Sequence, residues 1–212
     1  MDAAKRKALE AAGWRFGDAA DFLGMTDEER QLLDAPVRID EMRADDWEAV
    51  RRIYLEGLAT GNASFETEAP DWPAWDEKHH RHSRLVARQD GRVVAWAALA
   101  PVSHRRCYAG VAEVSLYVAA DCRGRGVGQR LLQALIDSSE RHGVWALHGA
   151  TFPENTASLR LQQACGFRVV GRRERIAQRD GVWRDTVLTE RRSSVVGVTE
   201  GPGEGMTGST DV

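Results

Sequence analysis

The sequence predicts an α/β fold in which helices pack on a mixed sheet, mainly antiparallel in its first half, behind a short helical appendage. Three observations lead there. Apolar runs of strand length alternate with segments whose apolar residues recur every three or four positions. Asp90-Gly91 joins two of the apolar runs, and that dipeptide favours a tight hairpin. Finally, Arg123-Gly124-Arg125-Gly126-Val127-Gly128 separates a strand-like run from a helix-like one.

Taken in order, Ala3 to Ala12 is good helix material, stopped by Gly13. Thr26 with Glu29 forms a capping box for a helix to Leu33, and Pro36 then breaks the chain. Residues 1–36 thus read as a helical appendage that packs on the domain or extends a dimer. Val37 to Asp40 reads as a strand. Asp45 or Asp46 caps the next helix, where Trp47, Val50, Ile53, Tyr54 and Leu58 share one face. A polar stretch holding Phe65, Trp72 and Trp75 follows. Arg84 to Arg88 and Val93 to Leu99 form the hairpin, and Ala109 to Val118 is a longer strand. A helix spans about Gly126 to His142 and ends at Gly143. Val144 to Ala150 is strand, Asn155 to Cys165 is helix, and two strands close the domain at Arg168–Arg175 and Val182–Glu190. The order β-α-β-β-β-α-β-α-β-β assigns 37–192 to one domain. Residues 193–212 are rich in Gly, Ser and Thr and are expected to be a disordered tail.

Composition narrows the function. The chain of 212 residues carries 29 Lys+Arg against 32 Asp+Glu, a net charge of −3. Both ends are acidic and the middle is mildly basic, too weak a bias for a nucleic-acid binder but suited to a small anionic ligand. The absence of a long apolar run predicts no membrane span, and the charged start Asp2, Lys5, Arg6, Lys7 does not read as an export signal. A cytoplasmic location is therefore expected. Cys107, Cys122 and Cys165 lack metal-binding spacing and read as small apolar fillers.

The glycine-rich turn is the strongest chemical signal. Its glycines let the backbone bring several N–H groups to a helix N-terminus, an anion site suited to a pyrophosphate, and Arg123 and Arg125 add charge. A Walker loop would need Gly-Lys-Ser/Thr where this chain has Gly128-Gln129-Arg130, and the dinucleotide fingerprint lacks its third glycine. Arg123, Gly126 and Gly128 instead match the Arg/Gln-x-x-Gly-x-Gly/Ala pattern of the Gcn5-related N-acetyltransferases (GNAT). More narrowly, residues 37 to about 191 resemble the phosphinothricin acetyltransferase-like L-amino acid N-acyltransferases. The resemblance rests on Gly61-Asn62-Ala63-Ser64-Phe65-Glu66-Thr67, on Tyr108 to Val118, on Pro153-Glu154-Asn155-Thr156-Ala157-Ser158 and on Gly181-Val182-Trp183-Arg184-Asp185.

That resemblance implies a GNAT fold whose sheet splays at the cofactor site, an acetyl-CoA co-substrate, no metal, a small amine or amino-acid acceptor, and a homodimer. It places pantetheine on the backbone of Leu116, Tyr117 and Val118, and pyrophosphate on Arg123, Gly124, Arg125, Gly126, Val127 and Gly128. Asn155 would reach the pantetheine or thioester region, with Ser158 one turn on, although Asn155 reads equally as a helix cap. Glu113, a charge within the largely apolar strand Val111 to Val118, is the expected general base for the acceptor ammonium, aided by partial desolvation. No residue reads as an acyl-accepting nucleophile, so attack is expected to be direct, in a ternary complex. A non-catalytic acyl-CoA-binding regulator, or an enzyme acting on a different small amine, is the rival reading.

At the acceptor end, Phe65 either walls the pocket or packs in the core. Arg105 or Arg106, just before Tyr108, either holds a substrate carboxylate or is solvated. Trp183 lies at a subunit contact or beside the site. Where many relatives carry His in the last helix this chain has Gln162, which cannot titrate. His79, His80 and His82 read as solvated surface.

Overall fold

The computed structural model describes residues 36–198. The helical appendage and most of the expected tail lie outside the described residues. A compact unit begins at Val37. It contains β1 (Arg38–Glu41), α1 (Trp47–Leu58), α2 (Trp72–Lys78), β2 (Leu85–Gln89), β3 (Arg92–Pro101), β4 (Val111–Val118), α3 (Val127–Arg141), β5 (Ala146–Thr151), α4 (Thr156–Ala164), β6 (Arg168–Arg179) and β7 (Val182–Arg192). The strands form one sheet in the order β1-β2-β3-β4-β5-β7-β6. Every pairing is antiparallel except β4 with β5.

The sheet separates two cores because successive side chains of a strand point to opposite faces. On one face Ala95, Ala97, Leu99 and Ala112 meet Leu131, Leu132, Leu135 and Ile136 of α3. The alanines let the helix approach closely. On the other face Val86, Trp96 and Ala98 meet Val50 and Ile53 of α1 and Trp75 of α2. Trp47, Trp72, Trp75, Trp96, Tyr54 and Tyr117 form a continuous chain of ring contacts there, with centroids 4.8–5.7 Å apart.

Helix α2 lies in what reads as a polar stretch. Its seven residues are too few to show a helical period, but its start is well specified: the Asp71 carboxylate accepts from the Ala74 N–H at 3.0 Å and Pro73 sits in the first turn. Its end is held by the buried Arg84 guanidinium. This donates to the Asp76 carboxylate, the Asp76 carbonyl (2.8 Å) and the His79 carbonyl (2.9 Å), and lies over the Trp75 ring. The Arg84 hydrogen bond holds the Asp76 carboxyl below the usual range. Just past β7, Ser193 is buried and its N–H donates to the Trp145 carbonyl at 2.9 Å.

The histidines correct the surface reading. His79 is half-buried and stacked on Trp75, with centroids 4.1 Å apart. His80 stacks on His82 and His82 on His142, at 4.9 and 4.5 Å. Their neighbours Ser83 and Ser138 bond to one another at 3.0 Å, joining the chain before β2 to the end of α3. Burial, then the neighbouring His80, His142 and Arg84 charges, push the His82 imidazole down to about 4 from 6.5. Between those values the unfolded chain binds the proton and the folded chain does not, so stability falls as pH drops through that window. Urea midpoints measured from pH 7 to pH 4.5 are expected to decline, and His82→Phe should flatten the decline. An unchanged slope in that variant would remove His82 as its source.

Candidate active site

β4 pairs with β3 along its whole length, from Ala95↔Val118 to Pro101↔Ala112. With β5 it shares only three rungs, Val111↔Ala146, Ala112↔Leu147 and Glu113↔His148. β5 then continues along β7 as far as Thr151↔Val187. Beyond Glu113 the two parallel strands diverge, and Val114 to Val118 keep one backbone edge without a strand partner. A cleft of about 1170 Å³ opens there.

The glycine-rich turn forms the floor at one end. Gly124 and Gly126 have φ of +74° and +79°, the left-handed region that only glycine enters without strain, and a Cβ at either would meet open space. Gly126 caps α3 without a side-chain hydrogen bond, and no acidic residue occupies the first turn. The first N–H groups of α3 therefore keep their capacity for an anion. Arg123 lines the cleft and donates to the Val118 carbonyl at 3.0 Å. Gly128 packs α3 against α4 and β4: a Cβ there would lie 3.3 Å from Leu161 and 3.5 Å from Val118.

Of the residues singled out from the sequence, Glu113, Leu116, Tyr117, Val118, Arg123, Gly124, Gly126, Gly128, Asn155, Ser158 and Phe65 line this one cleft. Four do not. Val127 is buried in the core against the sheet, and Arg125 lies outside the lining. Arg106 and Tyr108 sit in an exposed 3-10 turn before β4, where the Arg105 guanidinium lies over the Tyr108 ring. Trp183 is exposed and also outside the lining.

Glu113 is exposed, not buried as its apolar neighbours in sequence suggest. It occupies the last rung before the strands part. His148 faces it across that rung and lies 3.9 Å from Glu190, which pairs with Arg168 at 2.6 Å. Asn155 is a helix cap, its carbonyl accepting from the Ser158 N–H at 3.2 Å. It is also a bridge, its amide donating to the Asn62 carbonyl at 3.1 Å. Phe65 takes both roles read for it: it lines the cleft and packs edge-on against Phe152 at 4.8 Å.

Sequence reasoning named several residues without foreseeing their contacts. Tyr54 and Tyr117 pack ring to ring at 4.8 Å beside Ser64, and burial raises both phenols above their ordinary value. Gln162 donates to Thr151 (3.0 Å) and Ser158 (3.2 Å) and accepts from Thr189 (2.5 Å). It ties α4 to β5 and β7 on the far wall of the cleft. Only the Gly61–Thr67 motif pointed towards the Ser64 contact; the Gln162 network has no local signature.

The sequence profile of the Acetyltransferase (GNAT) family matches residues 41–167. A phosphinothricin N-acetyltransferase of Alcaligenes faecalis is 37% identical over 160 residues, 71% of this chain and 79% of that protein. An L-methionine sulfoximine/L-methionine sulfone acetyltransferase of Pseudomonas paraeruginosa is 34% identical, over 68% of this chain and 88% of that one. Among solved structures, the ribosomal-protein-alanine N-acetyltransferase of Brucella melitensis superposes with a TM-score of 0.69 at 27% identity, covering 74% of this chain and 99% of that chain.

The Gln162 network generates a stability test. Gln162→Leu keeps the bulk but removes both donors and the acceptor for the buried Thr189 hydroxyl, so urea unfolding is expected to show a loss of about 1–3 kcal/mol. An unchanged urea midpoint would mean that these hydroxyls find other partners.

Proposed function

The chain belongs to the acetyltransferase (GNAT) family, and on that premise we propose that it moves an acetyl group from acetyl-CoA to the amine of a small L-amino acid or analogue of the phosphinothricin or methionine sulfoximine kind. The observation that carries this reading is the parting of β4 from β5 at Glu113, beside the uncapped start of α3. The edge of Val114–Val118 offers the alternating N–H and C=O groups that a pantetheine arm needs. Gly124, Gly126 and Gly128, with Arg123, would take the pyrophosphate. When bound, acetyl-CoA supplies an activated thioester carbonyl.

The chain's own residues do the rest. An amine acceptor arrives as ammonium at neutral pH and cannot attack until it loses a proton. Glu113, on the cleft wall where the strands diverge, takes that proton directly or through a water. Asn155 orients the reacting region through the amide hydrogen it does not spend on Asn62. Gln162, fully engaged as a tie, leaves proton return to the departing thiolate to solvent or to another hydroxyl. Attack is direct, and the chemistry requires no metal. The small-amine acceptor follows from the activities for which the relatives at 34–37% identity are named. We further infer a homodimer working in the cytoplasm; no helix among the described residues is long and apolar enough to cross a membrane.

Glu113→Gln keeps volume and hydrogen bonding but cannot take up the proton. With phosphinothricin and methionine sulfoximine as acceptors, kcat is expected to fall by about 10²–10⁴ while the acetyl-CoA KM barely changes. Activity should recover as rising pH deprotonates the free amine, and the low-pH limb of kcat/KM should lose its carboxylate titration. A variant with wild-type kcat at pH 7 and the same limb would move the base elsewhere, and acetylation of neither acceptor by the wild type would overturn the acceptor class.

A further inference from the structure

The segment between α1 and α2, residues 59–71, contains no helix or strand, yet it carries Thr60, Asn62, Ser64, Phe65 and Glu66 into the cleft. Backbone carbonyls are obligatory acceptors, and a segment without a ladder must find donors elsewhere. Here they come from two arginines near the tip of the β6–β7 hairpin. Arg179, the last residue of β6, donates to the carbonyls of Leu58 (2.9 Å), Ser64 and Glu66 (3.0 Å). Arg184 donates to the Gly61 carbonyl (3.2 Å) and to Glu154 (3.1 Å), and its guanidinium lies 4.1 Å from the centre of the Phe152 ring. Phe65 leans edge-on against that same ring. Neither arginine lines the cleft.

The Arg179 side chain is only 10% exposed, and the Asp180 carboxylate 3.4 Å from it belongs to a side chain that is 72% exposed. A guanidinium withdrawn from water is costly unless its donors are used, and a planar fork of five N–H groups can reach carbonyls set apart in space, where an ammonium donates from a single point. The Arg179 targets bracket the segment: Leu58 closes α1, while Ser64 and Glu66 flank Phe65. The Ser64 hydroxyl in turn accepts from the Glu66 N–H at 3.1 Å, closing the turn around Phe65. The backbone on either side of Phe65 is thus fixed from a hairpin tip more than a hundred residues along the chain.

We propose that Arg179 is a positioning residue for the acceptor: it holds the 59–67 segment so that Phe65 and Glu66 shape the acceptor end of the cleft, leaving the acetyl-CoA end untouched. This rests on the acetyltransfer reading above, because it assigns 59–67 to the acceptor side. Arg184 and Asn155 support the same segment at Gly61 and Asn62.

Arg179→Gln and Arg179→Lys separate this from a general structural role. Hydrogen–deuterium exchange followed by mass spectrometry needs no substrate. It should show faster exchange in Arg179→Gln across 59–67, with β2 and β3 unchanged. Steady-state kinetics with phosphinothricin and methionine sulfoximine should show an acceptor KM raised about tenfold or more, since a misplaced wall costs alignment, with the acetyl-CoA KM unchanged. Arg179→Lys should fall between the two, because one ammonium cannot reach three carbonyls, and it carries both measurements if Arg179→Gln does not fold. Unchanged exchange in 59–67, or both KM values rising together, would overturn the proposal. If the wild type acetylates neither acceptor, the acceptor class fails, and exchange in 59–67 still decides the role of Arg179.

Discussion

Just past the Glu113–His148 rung, β4 leaves β5, and five residues from Val114 to Val118 keep an open backbone edge. Inside a sheet such an edge would be an unmet demand for hydrogen bonds. Here it borders a cleft wide enough for a ligand to meet that demand. The neighbouring elements are arranged around this gap. β5 keeps its continuity by pairing with β7 instead, and Gln162 ties α4 to both strands. Gly128 lets α3 start against Val118 and Leu161, so the helix N-terminus faces the gap from the side.

The mild positive charge of the middle of the chain finds its explanation in this architecture. Several arginines act as donors to backbone carbonyls or to a single carboxylate. Arg84 closes α2, Arg88 grips Asp46 at 2.8 Å, and Arg130 reaches the Val37 carbonyl at 2.7 Å. Arg179 and Arg184 hold the segment after α1. Irregular backbone next to a cleft carries many unpaired carbonyls, and a planar five-donor group satisfies several with little loss of rotamer freedom. Much of the basic charge is thus internal reinforcement.

The site divides into a part set by local chemistry and a part set by distant contacts. Gly124 and Gly126 take positive φ, which glycine enters without strain, so the cradle these residues form is written in six consecutive residues. Glu113 is different. Its place in an apolar run suggests a buried charge, yet it is exposed. Tyr108 and Arg106 precede the same strand and fall outside the cleft, because the 3-10 turn before Val111 carries them past its rim.

What the sequence by itself determined was the set of elements and the cradle. The apolar periods of α1 and α3, the Asp90-Gly91 hairpin and the glycine turn depend on interactions within a few residues, which neighbouring letters encode directly. Even there, α2 escaped notice, since seven residues hold too little periodicity. The tertiary structure alone decided which groups converge. Asn155 meets the Asn62 carbonyl across 93 positions and Arg179 meets the Leu58 carbonyl across 121. The three rungs of β4–β5 pairing join residues more than thirty positions apart, and no single segment carries that information. Backbone demands are local, but the partners that satisfy them are chosen by packing, which is global.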